Sequence, residues 1–275
     1  MVKVSAVIST YNEEKNIGRV IRSCLQQTYP HLEIIVIDSW RSTDRTAEIA
    51  EKLSARVYKF GRERSQQRNY GVSLATGKFV LILDADMVLA SRVVAACVAA
   101  IRRRPRTKAV IIPEQSFGDG YWAACKALER NCYLGDDSIE AARFFDRKTF
   151  LALGGFRRRM ISGEDWDLHR RFKSLGSPER ANEFIYHYEG QLTLWSDVKK
   201  KLYYSRTSAA YIRTHVSGVG DVAKFIFRPA FIRNWKKLIS DPIHLPGLFL
   251  MKFSEFTAGG LAIVTQRNFW SKIIS

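Results

Sequence analysis

Lys78-Phe79-Val80-Leu81-Ile82-Leu83-Asp84-Ala85-Asp86 is the stretch that decides the fold. An unbroken apolar run of strand length, with no polar alternation, belongs to a strand covered on both faces. It ends on two carboxylates two positions apart. Working outward, Val2–Ser9 and Glu33–Asp38 read as further strands, Arg56–Phe60 as a short one, and Lys108–Pro113 as the last of the series. Helical patterns separate them at Asn16–Gln27, Thr43–Leu53, Ser65–Ala75 and Ser91–Arg103. Strands alternating with helices of about ten residues predict an α/β chain with a mostly parallel sheet and helices on both faces. In such sheets ligands bind beyond the carboxyl ends of the strands. Polar residues that end strands are therefore the candidates for chemistry.

Asp84 and Asp86 head that set. Two acids at i and i+2 on a loop leaving a strand can share a divalent cation, and hard oxygen ligands suit Mg²⁺ or Mn²⁺ together with bound phosphates. Asp38 ends its own strand and can accept hydrogen bonds from a nucleobase edge or a ribose hydroxyl; a turn or helix cap is the structural alternative. Arg68-Asn69 precedes Gly71 on a helix at the same edge, where Arg68 can meet a diphosphate. The region from Gly118 to Gly190 is less regular, with a helix near Tyr121–Tyr133, a strand at Ala141–Asp146, Gly154-Gly155-Phe156, and a helix opened by Gly163-Glu164-Asp165. An acidic pair at a helix start also has a plain explanation, because it complements the helix dipole.

Of 275 residues, 46% are hydrophobic and 26% charged, a mix that buries a core and excludes wholesale disorder. The net charge is +17, and the stretch from Trp195 to the end holds 13 basic against 4 acidic residues. A basic tail calls for an anionic partner, either nucleic acid or acidic lipid headgroups. On a helix over Lys224–Ile239, Phe225, Phe227, Phe231, Ile232, Trp235, Leu238 and Ile239 share one face, and Arg233, Lys236 and Lys237 lie opposite, a pattern that suits a membrane interface. Residues 243–264 are mostly apolar and long enough for a bilayer core, but Pro246, Lys252, Glu255 and Gly259-Gly260 interrupt them. Helices lying in one leaflet are the preferred reading, with one span near 243–264 as the alternative. Cys24, Cys97, Cys125 and Cys132 lack metal-ligand spacing and read as small core residues in a reducing compartment. No signal peptide is read at the N-terminus, and no nucleic-acid motif accompanies the charge.

Taken together, Ser9-Thr10-Tyr11-Asn12-Glu13-Glu14, Glu33-Ile34-Ile35-Val36-Ile37-Asp38, Ser42-Thr43-Asp44, Arg68-Asn69-Tyr70-Gly71, Ala75-Thr76-Gly77, Leu83-Asp84-Ala85-Asp86, Gly154-Gly155-Phe156 and Gly163-Glu164-Asp165 resemble the large inverting GT-A (family two) glycosyltransferases. The resemblance covers roughly residues 2–190. It implies a GT-A, Rossmann-like catalytic domain over 1–195, with a nucleotide-binding half (1–115) and an acceptor-binding half (116–195). A helical membrane-associating extension over 196–275 would follow.

The resemblance also implies roles. Thr10, Tyr11, Glu13, Asp38, Arg68 and Asp84 would bind the nucleotide sugar, and Asp86 the metal, with His187 near metal or diphosphate. Asp165 would be the catalytic base with Glu164 beside it. Tyr203, Tyr204 and Arg206 are candidates for the diphosphate or a phosphorylated acceptor. The expected activity is metal-dependent (Mn²⁺ or Mg²⁺), inverting transfer from a UDP- or GDP-linked sugar to a hydroxyl acceptor. That acceptor is expected to be a polyisoprenyl-linked glycan at the cytoplasmic membrane face. Alternatives are a polyisoprenyl-phosphate sugar synthase, a basic nucleic-acid binder, and a non-catalytic nucleotide-sugar binder. Two departures stand out. Trp40-Arg41 replaces the glycine of a compact loop after the second strand, and the Gln-x-x-Arg-Trp motif of processive synthases is absent.

Overall fold

The structure is a computed structural model that describes residues 1–136, 139–158, 160, 162–200, 202 and 229–264. The chain divides into two compact units: 1–115 with 135–158 and 164–188, and 116–134 with 159–163 and 189–275.

The first unit is built on a seven-stranded sheet of order β3-β2-β1-β4-β8-β6-β9. Its strands are β1 (Val4–Thr10), β2 (Leu32–Asp38), β3 (Arg56–Lys59), β4 (Phe79–Asp84), β6 (Ala109–Ile111), β8 (Ala142–Asp146) and β9 (Glu179–Arg180). The pairs β1–β2, β1–β4, β2–β3 and β6–β9 are parallel, and β8 is antiparallel to both its neighbours, so it alone runs against the rest. This is the α/β architecture that the strand–helix alternation predicts. β1 and most of β2 and β4 are wholly buried, which is why they read as continuous apolar runs.

Helices α1 (Ile17–Leu25), α2 (Thr46–Lys52), α3 (Arg64–Leu74), α4 (Val93–Arg103), α6 (Arg147–Ala152) and α7 (Glu164–Lys173) surround the sheet. Alternate β1 residues feed two separate cores. Val4, Ala6 and Ile8 pack with α1 and α4, and Val7 packs with Val72, Phe150 and Phe172 on the other face. Gly71 lets α3 lie against β1, since a Cβ there would sit 2.3 Å from Val7 Cγ1.

β5 (Met87–Leu89), β7 (Glu114–Asp119) and β10 (Ile185–Gln191), which no sequence pattern predicts as strands, form a second sheet of order β5-β10-β7. Their residues alternate only briefly between buried and exposed, and β5 is three residues long, too short to show a period.

The second unit packs α5 (Tyr121–Asn131) with the long helix Leu245–Val264 around Cys125, Cys132, Leu238, Leu248 and Met251. Among the described residues no helix is long and apolar enough to cross a membrane. Two charged residues lie near the middle of the long helix. Lys252 Nζ donates to Glu129 Oε1 at 2.8 Å and to Glu255 Oε2 at 2.6 Å, and Lys126 Nζ donates to Glu255 Oε1 at 2.7 Å. This charge cluster, with Asp197 Oδ1 3.7 Å from Lys126 Nζ as a fifth member, docks the helix on α5.

The single amphipathic helix predicted over Lys224–Ile239 is corrected. Residues 224–228 lie outside the described residues, and the remainder forms two short helices, Pro229–Arg233 and Trp235–Ile239. The break falls at Asn234, whose side chain donates to Cys132 O at 2.9 Å. The apolar face is divided accordingly: Phe231 and Leu238 join the core, whereas Ile232, Trp235 and Ile239 are exposed. All four cysteines are buried and free.

Candidate active site

The carboxyl ends of β1, β2 and β4 lie side by side in register, with Thr10 opposite Asp38 and Ser9 opposite Asp84. At β2, Asp38 Oδ1 accepts from Thr10 Oγ1 and Ser42 Oγ, each at 2.7 Å. Gln67 of α3 fixes the same strand ends by donating to Thr10 O at 2.7 Å and Ile37 O at 2.9 Å. The loops after β1 and β2 are stitched together, with Thr43 N donating to Asn12 Oδ1 and Glu14 N to Asp44 Oδ2, both at 2.9 Å.

These bonds explain the missing glycine. Ser42 N closes the turn on Ser39 O and Ser39 Oγ accepts from Arg41 N, while neither Trp40 nor Arg41 has a positive φ. The turn is held by serine hydroxyls and needs no left-handed residue. Tyr11 and Trp40 are both more than half exposed, and the Arg41 guanidinium lies 5.8 Å from the Tyr11 ring centre. Glu13 faces the same edge. Burial raises its carboxyl pKa against the hydrogen bond from Asn16, with Asp86 and Asp84 adding to the rise.

A second cluster centres on Arg68, which is fully buried. Its Nη2 donates to Asp84 Oδ1 and its Nη1 to Asp165 Oδ1, each at 2.7 Å, and Nη1 lies 3.5 Å from Glu164 Oε1. One guanidinium therefore ties the end of β4 to the start of α7. The terminal nitrogens of Arg68 are engaged by these carboxylates. Burial alone would raise the Asp84 pKa, but Arg68, Arg143 and Arg64 hold it far below the usual range.

Glu164 and Asp165 differ in kind. The Asp165 side chain is 33% exposed and that of Glu164 3%. Burial, reinforced by the Asp165 charge, pushes the Glu164 carboxyl up to about 7 despite Arg64 and Arg68. The Gly-Gly-Phe motif supports the same helix pair. Asn69 Oδ1 accepts from Phe156 N and its Nδ2 donates to Phe156 O, both at 2.8 Å. A Cβ on Gly155 (φ +64) would lie 2.4 Å from Asn69 Oδ1.

Asp86 sits in the β4–β5 turn. Its Oδ2 is 3.0 Å from His187 Nε2, and its Oδ1 is buried with no hydrogen-bond partner. An orphaned carboxylate oxygen beside an imidazole fits a divalent cation of the Mn²⁺ or Mg²⁺ type. Among the described residues no three His, Cys, Asp or Glu side chains gather as a metal site, so this pair needs ligands from a bound diphosphate and water.

Two charged residues here escaped the sequence reading. Arg143 reaches Asp84 Oδ2 at 3.5 Å and bonds Glu114 Oε1 through Nε, and Glu114 Oε2 lies 3.5 Å from His187 Nδ1. Neither belongs to a motif. The available signal was an arginine alone in the apolar run Ala142-Arg143-Phe144-Phe145, and an acid directly after Ile111-Ile112-Pro113. Tyr203, Tyr204 and Arg206 lie outside the described residues.

A nearly parallel sheet that gathers acids and arginines at its carboxyl edge, with a helix start bearing Glu164-Asp165 facing them, defines a glycosyltransferase of GT-A fold. Residues 5–146, just over half the chain, match the family described as Glycosyl transferase family 2, and the chain belongs to that family.

The Campylobacter jejuni GalNAc(5)-diNAcBac-PP-undecaprenol beta-1,3-glucosyltransferase is 26% identical over 217 residues, 74% of this chain and 62% of that protein. The Staphylococcus aureus poly(ribitol-phosphate) beta-N-acetylglucosaminyltransferase TarS is 35% identical over 95 residues, 31% of this chain and 16% of that protein. The matched stretch is likewise only 29% of a Nostoc glycosyltransferase. Among solved structures, the mannosyltransferase PcManGT from Pyrobaculum calidifontis, in complex with GDP-Man and Mn²⁺, superimposes with a TM-score of 0.57 at 18% identity, covering 99% of this chain and 78% of that one. TarS 1–349 in complex with UDP gives 0.54 at 16% identity, covering 96% and 91%.

Proposed function

We propose that this glycosyltransferase is metal-dependent and inverting. In this reading it moves a sugar from a UDP- or GDP-linked donor to a hydroxyl of a lipid-linked glycan at the cytoplasmic face of a membrane. The observation that carries the reading is the Arg68 clamp, which sets a solvent-reaching Asp165 against the Asp84–Asp86 end of β4.

In this reading Asp38, Thr10, Tyr11 and Glu13 receive the nucleoside and Asp84 the ribose or sugar. Asp86 and His187 are the residues that would hold a divalent cation, whose charge would offset that developing on the leaving diphosphate. Asp165 takes the proton of the acceptor hydroxyl through Oδ2, the oxygen Arg68 does not touch. The acceptor oxygen then bonds to the anomeric carbon as the bond to the diphosphate breaks on the opposite side. A single displacement inverts the configuration. Glu164, buried behind Asp165, shapes its field and is too enclosed to meet an acceptor.

A lipid-linked acceptor is supported by the Campylobacter relative, whose name specifies an undecaprenyl diphosphate glycan. Further support comes from the second unit, where Ile232, Trp235, Ile239, Phe249 and Phe253 are exposed and Arg233, Lys236 and Lys237 are exposed among them. Aromatic and apolar side chains mixed with lysines fit an anionic lipid surface.

Nucleoside diphosphate release tests the reading across UDP- and GDP-sugars, with Mn²⁺ or EDTA and with or without a membrane lipid extract. Release that needs one donor, the metal and the lipid supports it. Release that is indifferent to metal refutes the cation's role, and release indifferent to lipid refutes the lipid-linked acceptor.

A further inference from the structure

Asp84 and Asp86 leave β4 on either side of Ala85 and are joined a second time, through side chains from three other strands. Arg143 of β8 contacts Asp84 Oδ2 and Glu114 Oε1; Glu114, the first residue of β7, contacts His187 Nδ1; and His187 of β10 contacts Asp86 Oδ2. Glu114 and His187 are both largely buried, at 23% and 10% side-chain exposure. Both carboxylate oxygens of Glu114 are occupied, one by a guanidinium and the other by an imidazole nitrogen.

We infer that Glu114 is the positioning residue of the cation site, orienting the His187 ring through Nδ1 so that Nε2 faces Asp86 Oδ2 at 3.0 Å, where a cation would take the place of the proton Nε2 directs at that carboxylate. The inference rests on the reading that Asp86 and His187 hold a divalent cation. The chemistry is that of an outer carboxylate behind a ligating histidine. A carboxylate can only accept, so Glu114 keeps a proton on Nδ1, and Nε2 is the nitrogen that would give up its proton to ligate a cation. Arg143 explains why the carboxylate does not rotate away, since it anchors the other oxygen to the same strand end that carries Asp84. The arch thus couples the two acids of the Asp-Ala-Asp loop without either bonding to the other.

The critical substitution is Glu114→Gln. The amide keeps size and can still accept from Arg143 through its oxygen, but its nitrogen would now face His187 Nδ1 as a donor. That forces the proton onto Nε2 and removes the lone pair the cation needs. The readout is binding, independent of turnover: the affinity of the full chain for UDP and for GDP by calorimetry, in excess Mn²⁺ and in EDTA. In the unsubstituted protein Mn²⁺ strengthens binding of the preferred nucleotide, and D86N abolishes that gain.

E114Q is expected to lose about tenfold of the gain, with EDTA-state affinity unchanged. In an H187A background E114Q adds no further loss, which a merely structural role would not produce. Should E114Q fold poorly, E114D, which keeps the charge on a shorter arm, is read by the same ratio and is expected to lose part of the gain. A full Mn²⁺ gain in E114Q, or in E114D where that is the variant read, overturns the inference and leaves the cation reading standing. A protein whose nucleotide affinity ignores Mn²⁺ and whose D86N variant binds identically overturns both.

Discussion

Replacing Arg68 by Met removes the cation that three acids share and keeps an unbranched side chain to fill its place against Phe156, over whose ring the guanidinium now sits at 5.2 Å. The lost contacts are two 2.7 Å charge-assisted bonds, to Asp84 and Asp165, and the 3.5 Å approach to Glu164. Removing one partner from a buried ion pair costs about 3–5 kcal/mol, chiefly because the other charge is left buried and unpaired.

The sign of the pH dependence follows. In the unsubstituted protein Asp84 has a depressed pKa, so its contribution is present above the unfolded value near 4 and is lost only as pH falls. Without Arg68 the enclosed carboxylates have raised values, the folded state binds extra protons, and its stability falls as pH rises from about 4 towards 8. The deficit of R68M is therefore larger at pH 8 than at pH 5, by about 1.4 kcal/mol for each pKa unit gained. Equilibrium urea unfolding at the two pH values measures it, followed by tryptophan fluorescence, to which Trp166 of α7 contributes. A deficit below about 1 kcal/mol, or one equal at both pH values, refutes the clamp as the organising element of the site.

Asp165→Asn keeps the bond from Arg68 but cannot take a proton; transfer is expected to fall by about 10²–10⁴ with donor affinity by calorimetry unchanged, and retained activity would point to a phosphate acceptor that needs no base. Glu164, raised from 4.5 to about 7, withdraws stability as pH rises across that interval, up to roughly 3 kcal/mol; thermal unfolding of Glu164→Gln should lack this fall between pH 4.5 and 7, and an unaltered profile would refute the assignment. Gly71→Ala drives a methyl towards Val7 and Ile37, with contacts of 2.3 and 3.1 Å, and should cost about 1–3 kcal/mol in urea unfolding; an unchanged midpoint would mean that α3 can lift off β1 freely.

The sheet was legible because its strands are buried on both faces and write themselves as apolar runs, and the site's position followed from where those runs end. Thr10, Asp38 and Asp84 were readable one at a time for that reason. Their partners were not. Arg143 and Glu114 act through side chains that meet between β8 of one sheet and β7 and β10 of the other, and strands of five to seven residues with mixed exposure carry no period that would bring those side chains together. Arg68 stands out by its motif, but its carboxylate partners do not. Nothing in a helical arginine tells whether it points at solvent ligands or at carboxylates 16 and 97 residues away.

The long helix Leu245–Val264 makes the complementary point about composition. Its interruptions Lys252 and Glu255 read as defects in a membrane span, yet three positions apart they fall on one helical face and meet Lys126 and Glu129, spaced likewise on α5. Two pairs of opposite charge, each desolvated, are tolerable only when each neutralises another. What looks like a spoiled span is thus one half of a paired interface whose other half lies over 120 residues earlier. Phe249, Leu250 and Phe253 are among the apolar residues this helix leaves exposed, the side that the proposed lipid contact would use. A charge that breaks a hydropathy pattern therefore marks the side of the helix already taken, and so identifies which side is still available.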